Sequence, residues 1–438
     1  MTKDEKYTLA KWAINYALEK GAQQAGINIS NSKSSSIDVR DAKIDRLEQA
    51  IENNLTIRLF VDKRYSVHST NRLKKEELSR FIEQAIEGTR YLSEDEFRSL
   101  PNPELYYKGG GADLNLIDKT FENITPENKI ELAFAAEKEV LGKDERLISV
   151  TTSYYDGLND WVLVDSNGFS ADSSNSYFGL SASVAVKSDL ARPSAGWSES
   201  AIFFDRLIKS GIGKTALDRA LKKIGQEKIA SGKMDMIVEN RQAARLFSPL
   251  ISALSGSAIQ QKNSFLIDKL GEKVISDKIT LIDNPFIPGG YGSQFFDAEG
   301  MATQKRVVFD KGIVSRYYID TYYGKKLDMK PNSGGTTNLV FEAGDKNLQE
   351  LIETVNKGIL VTGFNGGNSN STTGDFSFGI DGFLIEKGQI AKPVSEMNIT
   401  GNMLKLWSNV GELGNDVNTN SSWLMPSVLF EGVDFSGI

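Results

Sequence analysis

The stretch NRQAARLFSPLISALSGSAIQQKNSFLIDKL, Asn240 to Leu270, limits the folds open to this chain more than any other. Leu246, Leu250, Ile251 and Leu254 recur at the spacing that lays one stripe of a helix against a core. Asn240 is the expected N-cap, because its side-chain oxygen can accept a backbone N–H of the first turn. The pattern stops at Ser255-Gly256-Ser257, a small and flexible break.

At 438 residues the chain exceeds one ordinary core, so two domains are expected, 1–230 and 231–438. Hydrophobic residues at 40% and charged residues at 25% argue against wholesale disorder. A net charge of −7 offers no footprint for nucleic acid. Basic clusters such as KKEELSR and RALKKIGQEK are interleaved with acids, as on solvated helix faces. With no cysteine, disulfides and Cys-ligated zinc are excluded. The charged first residues lack the apolar core of a signal peptide, and no run is apolar enough for a membrane span. The expectation is a soluble cytoplasmic protein with no nucleic-acid or membrane partner.

Thr2 and Glu5 have capping-box spacing ahead of a helix ending near Gly21. Ser34–Val39 reads as a strand; 43–52 suits helix or strand, because Ile44, Leu47 and Ile51 fit either. Leu55, Ile57, Leu59 and Val61 alternate as a half-buried strand. A turn at Lys63-Arg64 leads to a strand over Tyr65–Ser69 and a helix from about Lys74 to Leu92. Thr125-Pro126-Glu127 starts a helix running to Gly142. Strands follow at Leu147–Tyr155 and Trp161–Asp165, then a hairpin turn at Asn167-Gly168 and a strand over Tyr177–Val186. A helix from Thr215, capped by Asp218, ends near Gly232, and Met234–Val238 is a strand leading into the Asn240 helix. Beyond Gly271 helical stripes become scarce and Gly, Asn and Ser punctuate short apolar runs. The fold class is α+β: a mixed N-terminal domain with an antiparallel-rich sheet, then a mostly antiparallel, partly barrel-like C-terminal domain.

Metal and nucleophile chemistry are poorly supplied. A zinc peptidase needs about three protein ligands, a water and a carboxylate base, and the one histidine is His68, in the strand YSVHST. Its ordinary role is that of a strand residue. Asp297, Glu299, Asp375 and Asp416 could bind a hard cation as carboxylates, but each neighbours a turn glycine and reads first as a turn cap. Ser252, Ser255 and Ser257 lack an adjacent base and a G-x-S-x-G elbow. Gly213-Lys214-Thr215 imitates the end of a phosphate-binding loop, yet the glycine required five residues earlier is Ile208. Thr362–Asp381, TGFNGGNSNSTTGDFSFGID, is either surface punctuation or a polar lining for extended peptide, with Asn365, Asn370, Thr373, Asp375 and Ser377 as candidates.

The Asn240 helix, FDAEG at 296–300, TTGDFSFGIDGF at 372–383 and GNDV at 414–417 together resemble the PmbA/TldD family, once called modulators of DNA gyrase. TldD-type members carry H-E-x-x-x-H on this helix and act as zinc peptidases. Aligned on Gly256, the two histidine positions fall on Ser252 and Ser257 and the glutamate position on Ala253. Positions five apart lie about 140° apart around a regular helix, so two such ligands converge only if the helix is distorted or ends between them, and Gly256 would permit such an ending. The cysteine ligand that TldD-type members add after the GNDV block has no counterpart in NTNSSWLMPSV.

The resemblance implies the TldE/PmbA branch: a subunit with no cofactor and no catalytic residue of its own. Its partner would be a zinc-bearing TldD-like subunit, and the pair would hydrolyse unfolded peptides. It also favours strand for 43–52. The alternatives are a self-associating peptide-binding or scaffold protein, as a homodimer, and an independent hydrolase working through carboxylate-bound metal or serine.

Overall fold

The computed structural model describes residues 1–189 and 191–438. The chain opens with helix α1 (Lys3–Glu19), capped reciprocally by Thr2 and Glu5 as the spacing requires. A six-stranded antiparallel sheet follows, built from β1 (Gln24–Arg40), β2 (Lys43–Val61), β3 (Arg64–Thr70), β4 (Leu147–Asp165), β5 (Ser170–Val186) and β6 (Ser194–Ala201) in the order β3-β2-β1-β4-β5-β6. Helices α2 (Lys75–Thr89), α3 (Pro126–Lys138) and α4 (Ile212–Lys222) join α1 on one face. Along β1, Ile27, Ile29, Ile37 and Val39 point into that layer, and so do Leu55, Ile57 and Leu59 of β2. The intervening residues therefore point to the opposite face.

The strands are longer than their apolar runs. Residues 43–52 continue into Leu55–Val61 as one strand, and Leu147–Asp165 is uninterrupted. The first hairpin turns at Asp41-Ala42 and the second at Asp62-Lys63, a residue earlier than expected; all four residues have positive φ, as two-residue hairpin loops demand. Since β3 pairs only with Leu55–Val61, residues 43–54 of β2 form a sheet edge with no further strand beside it among the described residues. Ile44, Leu47 and Ile51 are exposed along it.

The α3 helix stops at Lys138, short of Gly142. Helix α4 departs from the reading in both bounds: it starts at Ile212 behind Gly211 in the left-handed region, ends at Lys222, and takes no cap from Asp218. Its cap is remote. The Glu139 carboxylate accepts from the N–H groups of Gly211 (2.6 Å), Gly213 (2.9 Å) and Lys214 (3.2 Å). The amides that imitated a phosphate loop are thus occupied by the protein's own anion.

His68 faces the helix layer, with Nε2 2.9 Å from Ser66 Oγ and its ring edge-on to Phe81. Burial holds its pKa below the ordinary 6.5. A histidine depressed in the folded state contributes stability that is present above its unfolded pKa and lost as pH falls through the folded one. Its single pair of ring resonances in an NMR titration is therefore expected to have a midpoint below 6.5; a midpoint at or above that value contradicts the assignment.

The C-terminal part begins with β7 (Gly232–Val238), followed by α5 (Asn240–Ala253) and α6 (Gly256–Gln260). A small sheet contains β8 (Leu281–Asp283), β9 (Arg306–Asp310), β10 (Ile313–Val314), β11 (Leu339–Phe341) and, further on, β16 (Trp423–Leu424). Short helix α7 (Thr321–Leu327) lies between β10 and β11, and α8 (Leu348–Thr354) leads into β12 (Lys357–Ser369), β13 (Asp375–Glu386) and β14 (Gln389–Asn402); α9 (Met403–Ser408) then precedes β15 (Val410–Leu413), and β17 (Val428–Ser436) ends the chain's strands. The order β14-β13-β12-β7-β17, with β17 pairing back onto Asn398–Thr400 of β14, closes a five-stranded barrel. The α+β class and the barrel match the expectation.

Helix α5 is the hub of this part. Leu246, Phe247 and Leu250 share one buried cluster with Val238 and Ile359 of the barrel and Leu281 and Phe309 of the small sheet. Phe247 meets Phe341 and Trp407 edge-on at 4.8 and 4.7 Å. Each such side chain contributes roughly 1.5–3 kcal/mol of burial. Pro249 lies inside the helix and supplies no N–H; the Arg245 carbonyl accepts from the Ser248 hydroxyl instead (3.3 Å). No helix among the described residues is long and apolar enough to cross a membrane.

Candidate functional site

The N-cap of α5 is Glu239, not Asn240. Asn240 is already helical, and its side chain donates to the Asp416 carbonyl while its N–H donates to Ser427 Oγ (3.0 Å). Tertiary partners outcompeted the local cap, and GNDV is held against the helix start. At the other end α5 stops at Ala253, and Ser255 caps α6 by accepting from Ala258 N–H (3.3 Å). The break is fixed by Tyr318, whose N–H donates to the Leu254 carbonyl and whose carbonyl accepts from Gly256 N–H. A Cβ at Gly256 would lie 2.9 Å from Tyr323 Cβ.

This break carries hydroxyls and a methyl at the three positions onto which the resemblance aligns the zinc motif. Ser252 is exposed, Ala253 is buried, and Ser257 Oγ lies 3.1 Å from Ser255 Oγ. Neutral hydroxyls and a methyl do not fit zinc, and among the described residues no group of three or more His, Cys, Asp or Glu side chains is placed to hold a metal ion. His68 lies in the N-terminal layer, away from the break.

The carboxylates sit in turns. Asp297 Oδ1 accepts from the N–H groups of Glu299 (2.9 Å) and Met301 (3.0 Å). Glu299 Oε2 accepts from Thr321 N–H (3.0 Å) and hydroxyl (2.9 Å). Burial raises both above the ordinary carboxylate range. Asp416 accepts from Ser427 N–H and hydroxyl.

The five peptide-binding candidates lie on the β12–β13 hairpin. Asn370 Oδ1 accepts from the N–H groups of Thr372 (2.9 Å) and Thr373 (3.1 Å), organising its tip. Asp375 accepts from the Thr373 hydroxyl (2.8 Å) and Asn402 Nδ2 (3.0 Å), bonds that lower its pKa. Asn365 donates to Asp381 (2.7 Å), and Ser377 faces Asn368 across the pair. Because β7 pairs only with Gly358–Val361, the edge of β12 from Thr362 to Ser369 has no strand beside it among the described residues. Arg245 of α5 reaches it, donating to the Gly367 carbonyl (3.2 Å).

Sequence reasoning missed the cleft between the N-terminal sheet and the start of α5. Two cavities, of about 570 and 430 Å³, share Tyr155, Ser200 and Asn420. A charged latch closes one side. Arg219 donates to both oxygens of Glu239 (2.7 Å each), and Glu239 in turn holds the Arg219 guanidinium above its ordinary pKa. Arg241 donates to Glu199 (2.7 Å), and its guanidinium lies 3.7 Å from the centre of the Trp197 ring. Glu199 also accepts from Trp197 Nε1 (2.9 Å) and Asn420 Nδ2. The only legible trace was the serine-rich alternation of NISNSKSSS and SNSYFGLSAS.

Residues 25–88, 119–224 and 231–437 match in turn domain 1, the central domain and the C-terminal domain of PmbA/TldA metallopeptidases. The chain belongs to the PmbA/TldD family, as a PmbA-like member lacking the zinc motif. It is 28% identical to Metalloprotease PmbA of Escherichia coli O157:H7, over 97% of this chain and 95% of that one. A Metalloprotease PmbA homolog of Buchnera aphidicola subsp. Baizongia pistaciae is 30% identical, over 80% and 78%. The crystal structure of a candidate modulator of DNA gyrase from Bacteroides thetaiotaomicron superposes with a TM-score of 0.98 at 52% identity, covering all of both chains. TldE from Thermococcus kodakarensis shares the fold, with a TM-score of 0.85 at 22% identity over 98% of this chain and 100% of that one.

Proposed function

We propose that this chain is the non-catalytic, TldE/PmbA-like subunit of a heterodimeric zinc peptidase, and that it holds unfolded peptide for a TldD-like partner working in the cytoplasm. The observation that carries this is the α5 break. Its backbone is pinned by Tyr318, while the positions that would grip and use zinc hold Ser252, Ala253 and Ser257. Zinc, the bound water and the general base then belong to the partner. The vacant β12 edge beside α5 supports the peptide-holding role, since an extended chain added there gains backbone hydrogen bonds with little sequence preference.

Affinity purification from the native host, with elemental analysis, tests the assignment. The expected result is recovery of a subunit with an H-E-x-x-x-H helix, zinc confined to that subunit, and cleavage of an unfolded substrate only by the pair. Stoichiometric zinc in this chain alone, or chelator-sensitive cleavage by it alone, overturns the reading.

A second reading, a self-associating peptide-binding scaffold, draws on the free β2 edge. About a two-fold axis through Gln49, antiparallel pairing sets Leu47 against Ile51 and Arg46 against Glu52, each twice. Sedimentation of the purified chain distinguishes the readings. A dimer disrupted by Ile51→Lys, with no partner recovered from the host, favours the scaffold.

A further inference from the structure

The sheet face turned away from the helices is tiled with small polar groups by strand register. One row runs Ser153, Ser181, Ser198 across β4, β5 and β6; the next runs Ser36, Tyr155, Gly179, Ser200 from β1 to β6. Beyond it come Ser34, Gly157, Tyr177 and then Ser32, Asn159, Asn175. The two tyrosines cross-pair with the two glycines. A Cβ at Gly179 would lie 2.1 Å from the Tyr155 ring and one at Gly157 2.5 Å from the Tyr177 ring, so both rings lie flat on the sheet. They form two aromatic tiles on a hydroxyl floor, beneath the two joined cavities.

We propose that this cleft binds an extended, uncharged peptide segment rich in small polar residues. The assignment rests on the peptide-holding reading above and names the substrate class. Hydroxyl and carboxamide groups both donate and accept, so the floor can serve the N–H and C=O groups of an extended chain at its repeat of about 3.3 Å. Serine side chains leave height above the sheet, and the ring faces take Cα–H and proline C–H groups. The charge of the incoming chain is constrained as well. The charged residues lining the cavities are Arg219 and Arg241, and each is already paired to a carboxylate. An incoming Lys or Glu side chain would lose water and find no counterion. A saccharide could lie on the same tiles, but continuity favours peptide. Arg241 and Gln242 line the cleft, and Arg245, one turn along α5, bonds the vacant β12 edge.

Fluorescence anisotropy of the purified chain with short fluorescein-labelled peptides tests this. A peptide of Gly, Ser, Thr and Asn is expected to bind saturably. Versions with Lys or with Glu at alternate positions should bind about tenfold more weakly or worse, a difference of about 1.4 kcal/mol. Affinity for the uncharged peptide should change less than about twofold between roughly 50 and 500 mM salt, since no ion pair is made. Ser153→Lys should weaken the uncharged peptide and favour the Glu version, with an unchanged far-ultraviolet circular dichroism spectrum; Ser183→Lys serves if that variant misfolds. Equal affinity for charged and uncharged peptides, no saturable binding, or binding of maltoheptaose in place of peptide overturns the proposal. Failure here with the partner still recovered sinks the cleft and spares the subunit. Intact binding with no partner does the reverse.

Discussion

Truncating Asp283 to alanine is expected to cost about 3–5 kcal/mol, because it strands a buried guanidinium. Asp283 and Arg306 are 0% and 5% exposed. Arg306 Nε and Nη2 donate to Asp283 Oδ2 at 3.1 and 3.0 Å, and Oδ1 accepts from Thr337 N–H (2.9 Å) and hydroxyl. The remaining Arg306 donors go to the carbonyls of Asn332, Ser333 and Gly335, which carry no counter-charge. Asp283→Asn keeps an oxygen for Thr337 but leaves the cation unpaired, and should fall between wild type and alanine. Urea unfolding followed by tryptophan fluorescence checks the order. A loss below about 1 kcal/mol for alanine would mean that water reaches Arg306.

Glu199→Ala should cost about 2–5 kcal/mol and loosen the contact between the sheet and α5. Glu199 accepts from Trp197, Arg241 and Asn420, groups on β6, α5 and the loop before β16. Without it three donors lose their acceptor at the mouth of the cleft. Limited proteolysis should show new cutting near 418–422, together with weaker peptide binding. Unchanged proteolysis and stability would show that the Arg219–Glu239 pair holds the halves together without it.

What could be read from the residues follows the range over which each signal acts. Leu55–Val61 and the helix after Lys74 were legible because period-two and 3.6-residue patterns are local. Residues 43–52 were ambiguous because Ile44, Leu47 and Ile51 suit a helical stripe, yet they lie on an open edge. The start of α4 was invisible: its cap is Glu139, about seventy residues upstream, and nothing near Ile212 announces it. Asn240 had the right chemistry for a cap and was claimed by Asp416. The α5 break was legible as Ser-Gly-Ser, and the family motif placed the missing ligands on it. The cleft was not, because its floor exists only once strands separated by more than a hundred residues come into register.

Closure of the barrel has a metric consequence. The ring sealed through β14 and β17 leaves the overhang of β12 beyond Val361 as the barrel edge beside α5 at which the proposed guest chain would pair. That overhang, Thr362–Ser369, is eight residues, roughly 26 Å of extended backbone. Under the proposed function it would act as a ruler with a fixed stop at Val361, where the end of β7 at Val238 takes up the edge, so the part of a bound chain protected there should have one length.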